Sequence, residues 1–95
     1  MLVLFAHWCP KCNMMMPIVD ELEDYYNEKL QVLRIDIEKN PEVMEEYKAE
    51  IVPTFIFYKQ TQEREEIEVG RMAGMIGEKM MYQRIEALFS ETLFF

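Results

Sequence analysis

Residues 1–12 read Met-Leu-Val-Leu-Phe-Ala-His-Trp-Cys-Pro-Lys-Cys, and this stretch decides the fold that we expect. Its first six residues form a continuous apolar run, which is typical of a strand buried on both faces of a parallel sheet. A helical spacing of apolar residues begins at Pro10. We therefore predict a buried strand, a turn at residues 7–8, and a helix whose start is occupied by Cys9, with Cys12 one turn further along.

The rest of the chain alternates between strand and helix patterns. The first helix contains Pro17 and is expected to kink there. The later predicted elements are, in order, a strand at 31–37, a helix at about 41–49, strands at 54–58 and 65–69, and a last helix with Met81, Ile85, Leu88 and Phe89 inward. The order β-α-β-α-β-β-α predicts an α/β fold in one domain, residues 1–95, with a four-stranded mixed sheet flanked by three helices.

Local signals place the ends of these elements. Asn40 followed by Pro41 predicts a side-chain cap and the first turn of the second helix. Gly70 is expected to end the last strand, and with Gly74 and Gly77 to break the chain before the last helix. The final apolar residues, 93–95, fit either a docked tail or an exposed patch.

The charge of the chain argues against one class of partner. The formal net charge is −8, whereas binding of nucleic-acid phosphates requires clustered Lys and Arg. Many of the acidic residues are interleaved with apolar ones at helical spacing, so we interpret them as solvated faces. No apolar run is long enough to span a membrane, and the first residues lack the basic leader of a secretory signal. We expect a cytoplasmic monomer with neither nucleic-acid nor membrane partners.

The spacing and position of the two cysteines point to redox chemistry. A disulfide between residues three apart closes almost no loop and adds little stability. On a helix, however, such residues have Cα atoms roughly 5–6 Å apart, which a disulfide can bridge. Unpaired N–H groups and the helix dipole favour a thiolate at Cys9. We expect Cys9 to attack a substrate disulfide and Cys12 to resolve the mixed disulfide, with Lys11 adding positive charge beside both sulfurs.

Other interpretations of these residues are weaker. A zinc site needs four ligands, and Cys9, Cys12 and His7 supply three at most. Two inert buried cysteines would not need to stand at the start of a helix that follows a strand. His7 alone is better interpreted as a surface residue of the turn than as a proton-transfer group. We expect no metal and no cofactor beyond a redox-active Cys9–Cys12 disulfide.

Several motifs in order resemble the thioredoxin superfamily. They are Phe-Ala-His-Trp-Cys-Pro-Lys-Cys at 5–12, the kinking Pro17, Asn-Pro at 40–41, Ile-Val-Pro-Thr at 51–54, and Val-Gly at 69–70. The resemblance covers nearly the whole chain. It implies that Cys9 and Cys12 are catalytic, that Trp8, Pro10 and Lys11 support them, and that a cis Val52–Pro53 bond lies beside the sulfurs. The backbone of Val52 would then pair with an extended substrate segment.

The resemblance also implies partners. A thioredoxin-like reductase would act in electron transport and cell redox homeostasis on protein disulfides, and would be recharged by a flavin-dependent thioredoxin reductase that uses NADPH. Alternatives are a disulfide isomerase or oxidant, since the residues between the cysteines tune the potential, and a glutaredoxin-like enzyme. A non-catalytic module that docks partners through the Val52–Pro53 groove is a further alternative.

Three departures from the family pattern bear on mechanism. Thioredoxins proper have a strand and helix before the strand that leads to the cysteines, whereas this sequence begins on that strand. They usually have Gly-Pro between the cysteines, where this chain has Pro-Lys, and no Gly-Gly-x-x-Asp segment of the glutaredoxin type follows. They also bury an Asp beneath the cysteines, and Val3 occupies the matching position. Because this acid is absent, we expect Cys12 to resolve the mixed disulfide slowly. Arg34 cannot pair with the missing acid, and we expect it to pair with Asp36 or Glu38 instead.

Overall fold

The computed structural model describes residues 1–91 and contains four strands and three α-helices in the predicted order. They are β1 (Leu2–Phe5), α1 (Pro10–Tyr26), β2 (Leu33–Asp36), α2 (Val43–Glu46), β3 (Thr54–Gln60), β4 (Glu66–Ala73) and α3 (Glu78–Glu91), with a 3₁₀ turn at Asn27–Lys29. The predicted apolar tail at 93–95 lies outside the described residues. Among the described helices, none is long and apolar enough to cross a membrane.

The strands form one mixed sheet in the order β2-β1-β3-β4. β1 runs parallel to β2, with Leu4 opposite Ile35, and antiparallel to β3, with Leu4 opposite Thr54. β3 and β4 form an antiparallel hairpin. The mixed four-stranded sheet predicted from the sequence is therefore confirmed. Because β1 lies at the centre, its continuous apolar run is buried on both sides, as expected for such a strand.

The helices cover both faces of this sheet. On one face, α1 and α3 pack on inward side chains of β1, β3 and β4 through a core that includes Val3, Val19, Leu22, Phe55, Met81 and Ile85. On the other face, a smaller core joins α2 to the sheet through Leu2, Leu4, Val43 and Ile56. The prediction of helices on both faces is confirmed, and the larger core fixes α1 against the central strand.

Helix α1 forms where the sequence predicts it because its start and its buried stripe agree. Cys9 is the N-cap residue and Pro10 takes the first helical position, where a missing N–H costs nothing. The buried residues recur at spacings of three and four: Cys12, Met15, Val19, Leu22 and Tyr26. The helix continues through Pro17 to Tyr26.

The prediction that Gly70 ends the last strand is wrong. β4 extends to Ala73, and Gly70 pairs with Phe57 inside it. A register shift at Phe57/Tyr58 leaves Val69 as an extra residue on β4, and the ladder then resumes. Burial of Met72 in the larger core keeps the strand in the sheet beyond the glycine. The glycine therefore marks a β-bulge inside the strand and not the end of the strand.

The predicted start of the second helix is also wrong. α2 begins at Val43 with Glu42 as its N-cap residue, which makes no side-chain capping bond. The Asn40 side-chain amide instead donates to the carbonyl of Asp36 at 3.3 Å. This bond ties residue 40 back to the end of β2, so that Asn40 stabilises the turn rather than the helix.

Arg34 forms ion pairs with two acidic residues of α1 and not with the expected partners Asp36 and Glu38. Its guanidinium contacts Asp20 at 2.6 Å and Glu23 at 3.1 Å, both on α1. The expected partner Asp36 is instead engaged by the backbone N–H of Glu38 at 2.9 Å. Because β2 lies at the edge of the sheet beside α1, the long Arg34 side chain reaches the exposed acids of the helix.

Because α1 packs on the larger core, replacing one of its buried side chains by a smaller one should strongly destabilise the fold. Leu22→Ala should lower the free energy of unfolding by about 2–5 kcal/mol, because Leu22 is fully buried and the cavity cannot collapse completely. Asp24→Ala, a matched change on the exposed side of the same helix, should change it by less than about 0.5 kcal/mol. Urea unfolding followed by circular dichroism gives both values. Equal effects of the two variants would contradict the described packing of α1.

Candidate active site

The turn after β1 places Cys9 at the start of α1. The Cys9 backbone N–H donates to the carbonyl of Ala6 at 3.2 Å, which closes the turn. The Cys9 sulfur accepts a hydrogen bond from the backbone N–H of Cys12 at 3.1 Å. An N–H donor at a helix start stabilises negative charge on the sulfur that it faces. The side chain of Cys9 therefore acts as the cap of its own helix.

The two sulfurs have different access to solvent. Both cysteines are free thiols; Cys9 is 4% exposed, whereas Cys12 is 0% exposed. Burial raises the pKa of the Cys12 thiol to about 12, with a smaller contribution from its hydrogen bond with Cys9. The predicted contrast, with Cys12 the more enclosed sulfur, is present, although Cys9 too is largely covered.

The loop before β3 lies against Cys9. The Cys9 thiol donates to the carbonyl of Val52 at 3.6 Å, and the Val52–Pro53 peptide bond is cis. The Thr54 hydroxyl donates to the carbonyl of Ile51 at 2.6 Å, which closes the loop on itself. The structure thus brings together two segments that are more than forty residues apart in the chain, an arrangement that the family resemblance implies.

Gly74 is a site residue that the sequence analysis missed. It follows β4 with a φ of 85°, and its N–H donates to the carbonyl of Pro53 at 2.8 Å. A positive φ of this kind favours glycine over any residue with a side chain. Gly74, and not Gly70, therefore joins the end of the hairpin to the Pro53 loop. Three glycines lie close together in the sequence, and composition alone does not show which of them has the positive φ.

Three exposed apolar side chains belong to the segments that form the site. Trp8 is 64% exposed, Ile51 52% and Met75 45%. Trp8 precedes Cys9, Ile51 begins the Pro53 loop, and Met75 follows Gly74, so the three segments of the site each contribute one apolar side chain. Pro10 and Lys11 are also exposed on the first turn of α1. Sequence reasoning identified Trp8 but missed Ile51 and Met75, whose exposure depends on the loops that carry them.

No acid lies beneath the cysteines in the described part of the chain. Val3 is fully buried in the larger core. The groups that shift the pKa of Cys12 are Cys9 and the backbone of residues 6 and 12, with no carboxylate among them. Within residues 1–91, no group of three or more His, Cys, Asp or Glu side chains is arranged to hold a metal ion.

Comparison with known proteins places these features in a family. The family model described as Thioredoxin matches residues 1–82. Over 82 residues the chain is 38% identical to thioredoxin Y1, chloroplastic, from Arabidopsis thaliana. The aligned region covers 86% of this chain and 45% of that protein. It is 30% identical, also over 82 residues, to the thioredoxin-like protein slr0233 from Synechocystis sp.. That aligned region covers 86% of this chain and 73% of that protein.

A solved structure supports the same assignment. The germline-specific thioredoxin Deadhead from Drosophila melanogaster superposes with a TM-score of 0.77 at 32% identity, over 92% of this chain and 77% of that one. The predicted thioredoxin fold is therefore confirmed. The chain spans less than half the length of thioredoxin Y1, at 45%. With the family model matching 82 of the 95 residues, this chain belongs to the thioredoxin family.

Proposed function

We propose that this chain is a thiol–disulfide oxidoreductase that reduces protein disulfides with the Cys9–Cys12 pair. The observation that carries the proposal is the hydrogen bond from the Cys12 N–H to the Cys9 sulfur at 3.1 Å. It stabilises the Cys9 thiolate, which is the attacking species in disulfide exchange. Membership of the thioredoxin family supports redox function in general, and the geometry of the two sulfurs supports the roles that we assign to them.

In the first step, the Cys9 thiolate attacks one sulfur of a substrate disulfide. A new bond forms between Cys9 and that sulfur, the substrate S–S bond breaks, and the other substrate sulfur leaves as a thiolate. Cys9 is the better placed of the two for this attack because it keeps some exposure, and the exposed apolar side chains of Trp8, Ile51 and Met75 belong to the segments that form the site. These apolar side chains would contact the segments of the substrate on either side of its disulfide.

In the second step, Cys12 releases the substrate. Cys12 loses its proton and attacks the Cys9 sulfur, forming the Cys9–Cys12 disulfide, while the substrate sulfur departs with the electron pair of the broken bond. With no carboxylate beside Cys12 among the described residues, we assign its proton to water, and the departing substrate thiolate takes up a proton from water in turn. Two electrons have then moved from the pair to the substrate.

The Pro53 loop orients the substrate in this scheme. The carbonyl of Val52 faces Cys9, and the backbone of this loop would pair with an extended substrate segment as a short added strand. A further dithiol must reduce the Cys9–Cys12 disulfide after each turnover. We assign that part to a flavin-dependent thioredoxin reductase that draws electrons from NADPH. A cytoplasmic location and a monomeric state remain predictions, and the matching thioredoxin Y1 is named as chloroplastic.

The two cysteines should fail in different ways when replaced. Cys9→Ser should abolish the catalysis of insulin reduction by dithiothreitol, because the attacking sulfur is gone and the remaining Cys12 thiol is fully buried. Cys12→Ser should also stop turnover but should accumulate a covalent mixed disulfide with the substrate, visible by mass spectrometry, because the attacking sulfur is intact. Full activity of Cys9→Ser would refute the assignment. Activity of neither wild type nor variants, with stable substrate binding, would point to a docking module instead.

The second step should depend steeply on pH. Because burial raises the pKa of Cys12 to about 12, its thiolate fraction at neutral pH is small. As long as the pH stays below the pKa, this fraction should increase about tenfold with each unit by which the pH is raised. Stopped-flow measurement of mixed-disulfide resolution should therefore show a rate that rises throughout pH 7–10. A rate that is flat across this range would contradict the described environment of Cys12.

An acid introduced beneath the cysteines should flatten this dependence. Val3→Asp places a carboxylate at the position where thioredoxins have their buried Asp, so it should speed resolution near neutral pH by accepting the Cys12 proton. Val3→Asn is the matched control, since it has the same size and polarity without the carboxylate. An unchanged pH–rate profile in a folded Val3→Asp variant, or an equal change in both variants, would count against a missing acid as the cause of slow resolution.

A further inference from the structure

His7 makes three polar contacts although its side chain is 72% exposed. Its backbone N–H donates to Glu38 Oε1 at 3.2 Å, and its carbonyl accepts from Asn13 Nδ2 at 3.2 Å. Its ring nitrogen Nε2 lies 3.3 Å from Asp36 Oδ2. The exposure agrees with the interpretation of His7 as a surface residue of the turn. The contacts, however, link it to β2, to the segment after β2, and to α1.

Asp36 is a fixed anchor for the imidazole. Its side chain is only 10% exposed, and its other oxygen, Oδ1, accepts the backbone N–H of Glu38 at 2.9 Å. Asp36 lies opposite Phe5 in the register between β1 and β2, at the end of the parallel pair. The Phe5 ring meets the His7 ring edge to face, with centroids 5.3 Å apart. The imidazole is therefore held by a carboxylate and a ring that both belong to the sheet.

The same turn is attached to the start of the helix. Asn13 lies in the first turn of α1, where its backbone N–H donates to the carbonyl of Cys9 at 3.1 Å while its side chain holds the carbonyl of His7. A single residue separates His7 from Cys9. Movement of the turn would therefore change the position of the Cys9 sulfur relative to the Cys12 N–H.

We propose that His7 is a positioning residue for Cys9. Through the contact of its ring Nε2 with the Asp36 carboxylate, it holds the turn at residues 7–8 to the edge of the sheet and keeps the Cys9 sulfur within reach of the Cys12 N–H. The inference rests on the proposed function only in naming Cys9 as the reacting cysteine. His7 itself does not contact the substrate or transfer a proton in this role. Its effect is on the fraction of molecules in which the Cys9 thiolate is stabilised.

The test measures the alkylation of Cys9 by iodoacetamide in the Cys12→Ser background, where Cys9 is the only thiol and the N–H at position 12 is retained. Added His7→Phe keeps an aromatic ring against Phe5 but removes the ring nitrogen that contacts Asp36, and should slow alkylation about three- to tenfold, as expected for the loss of one polar contact. Added His7→Gln places an amide N–H near the position of the imidazole Nε2 and should stay within about twofold of the parent.

Asp36→Asn completes a double-mutant cycle. It removes the charge that faces His7, while its side-chain oxygen can still accept the N–H of Glu38, so it should slow alkylation to a similar extent. If the two residues act through one contact, the combined His7→Phe and Asp36→Asn variant should lose no more than either alone. Gln83→Ala, on the exposed face of α3, is a control that should leave the rate unchanged.

Three results would overturn the inference: an unchanged rate in His7→Phe, equal slowing in His7→Phe and His7→Gln, or losses that add in the double variant. Should His7→Phe prove unfolded by circular dichroism, the comparison of Asp36→Asn and His7→Gln with the parent decides the question in the same way. Alkylation needs neither a disulfide substrate nor a reductase. Failure of insulin reduction would therefore refute the proposed function and leave this result standing, and the reverse also holds.

Discussion

The hydrogen bond from the Cys12 N–H to the Cys9 sulfur is the interaction on which the rest of the site depends. It exists because Cys9 occupies the N-cap position of α1, where the backbone N–H groups of the first turn have no partner within the helix. Pro10 fits the first helical position without losing a bond. The buried stripe of α1 against the central strand then fixes where that helix start lies. The larger core thus determines the position of a single sulfur atom.

The same arrangement makes the two cysteines unequal. The cap position gives the Cys9 sulfur a backbone N–H donor and a slight exposure. Cys12, one turn further along the helix, lies in the interior, where burial raises the pKa of its thiol. A carboxylate at position 3 could accept the Cys12 proton and so offset part of the cost of ionising this thiol, but Val3 is part of an apolar core instead. Stability of the core and speed of the proposed second exchange step are therefore opposed at this position. The chain has the residue that favours the core.

Much of the architecture could be predicted from the sequence because each signal is local. The apolar run of β1, the helix start at Cys9 and the spacing of the α1 stripe each depend on neighbouring residues, and the structure confirms the element order. The errors arose where the outcome depends on residues distant in the chain. Gly70 resembles a strand terminator, but Met72 finds a place in the core and the strand continues to Ala73. Arg34 pairs across to α1, a contact that no spacing within β2 indicates.

The site shows the same division. Trp8, Cys9, Cys12 and Pro53 could be selected from motifs. The roles of Gly74 in joining the hairpin to the Pro53 loop, and of Asp36 in holding His7, depend on tertiary contacts that have no signature in the sequence. The residue type of His7 and its place in a turn predict only a surface position. Only the positions of β2 and α1 around it show that its backbone and its ring are both engaged.

The most direct test of the central claim is an equilibrium titration of the Cys9–Cys12 pair against mixtures of reduced and oxidised glutathione, read by mass spectrometry after alkylation. We expect one two-electron transition to an intramolecular disulfide, with a mass two hydrogens below that of the dithiol. If the pair is a reductase, its midpoint should lie near that of reducing thioredoxins, about −270 mV, and well below the roughly −120 mV of a strong oxidant. Only glutathione adducts on Cys9, or a pair that stays reduced throughout, would contradict this expectation.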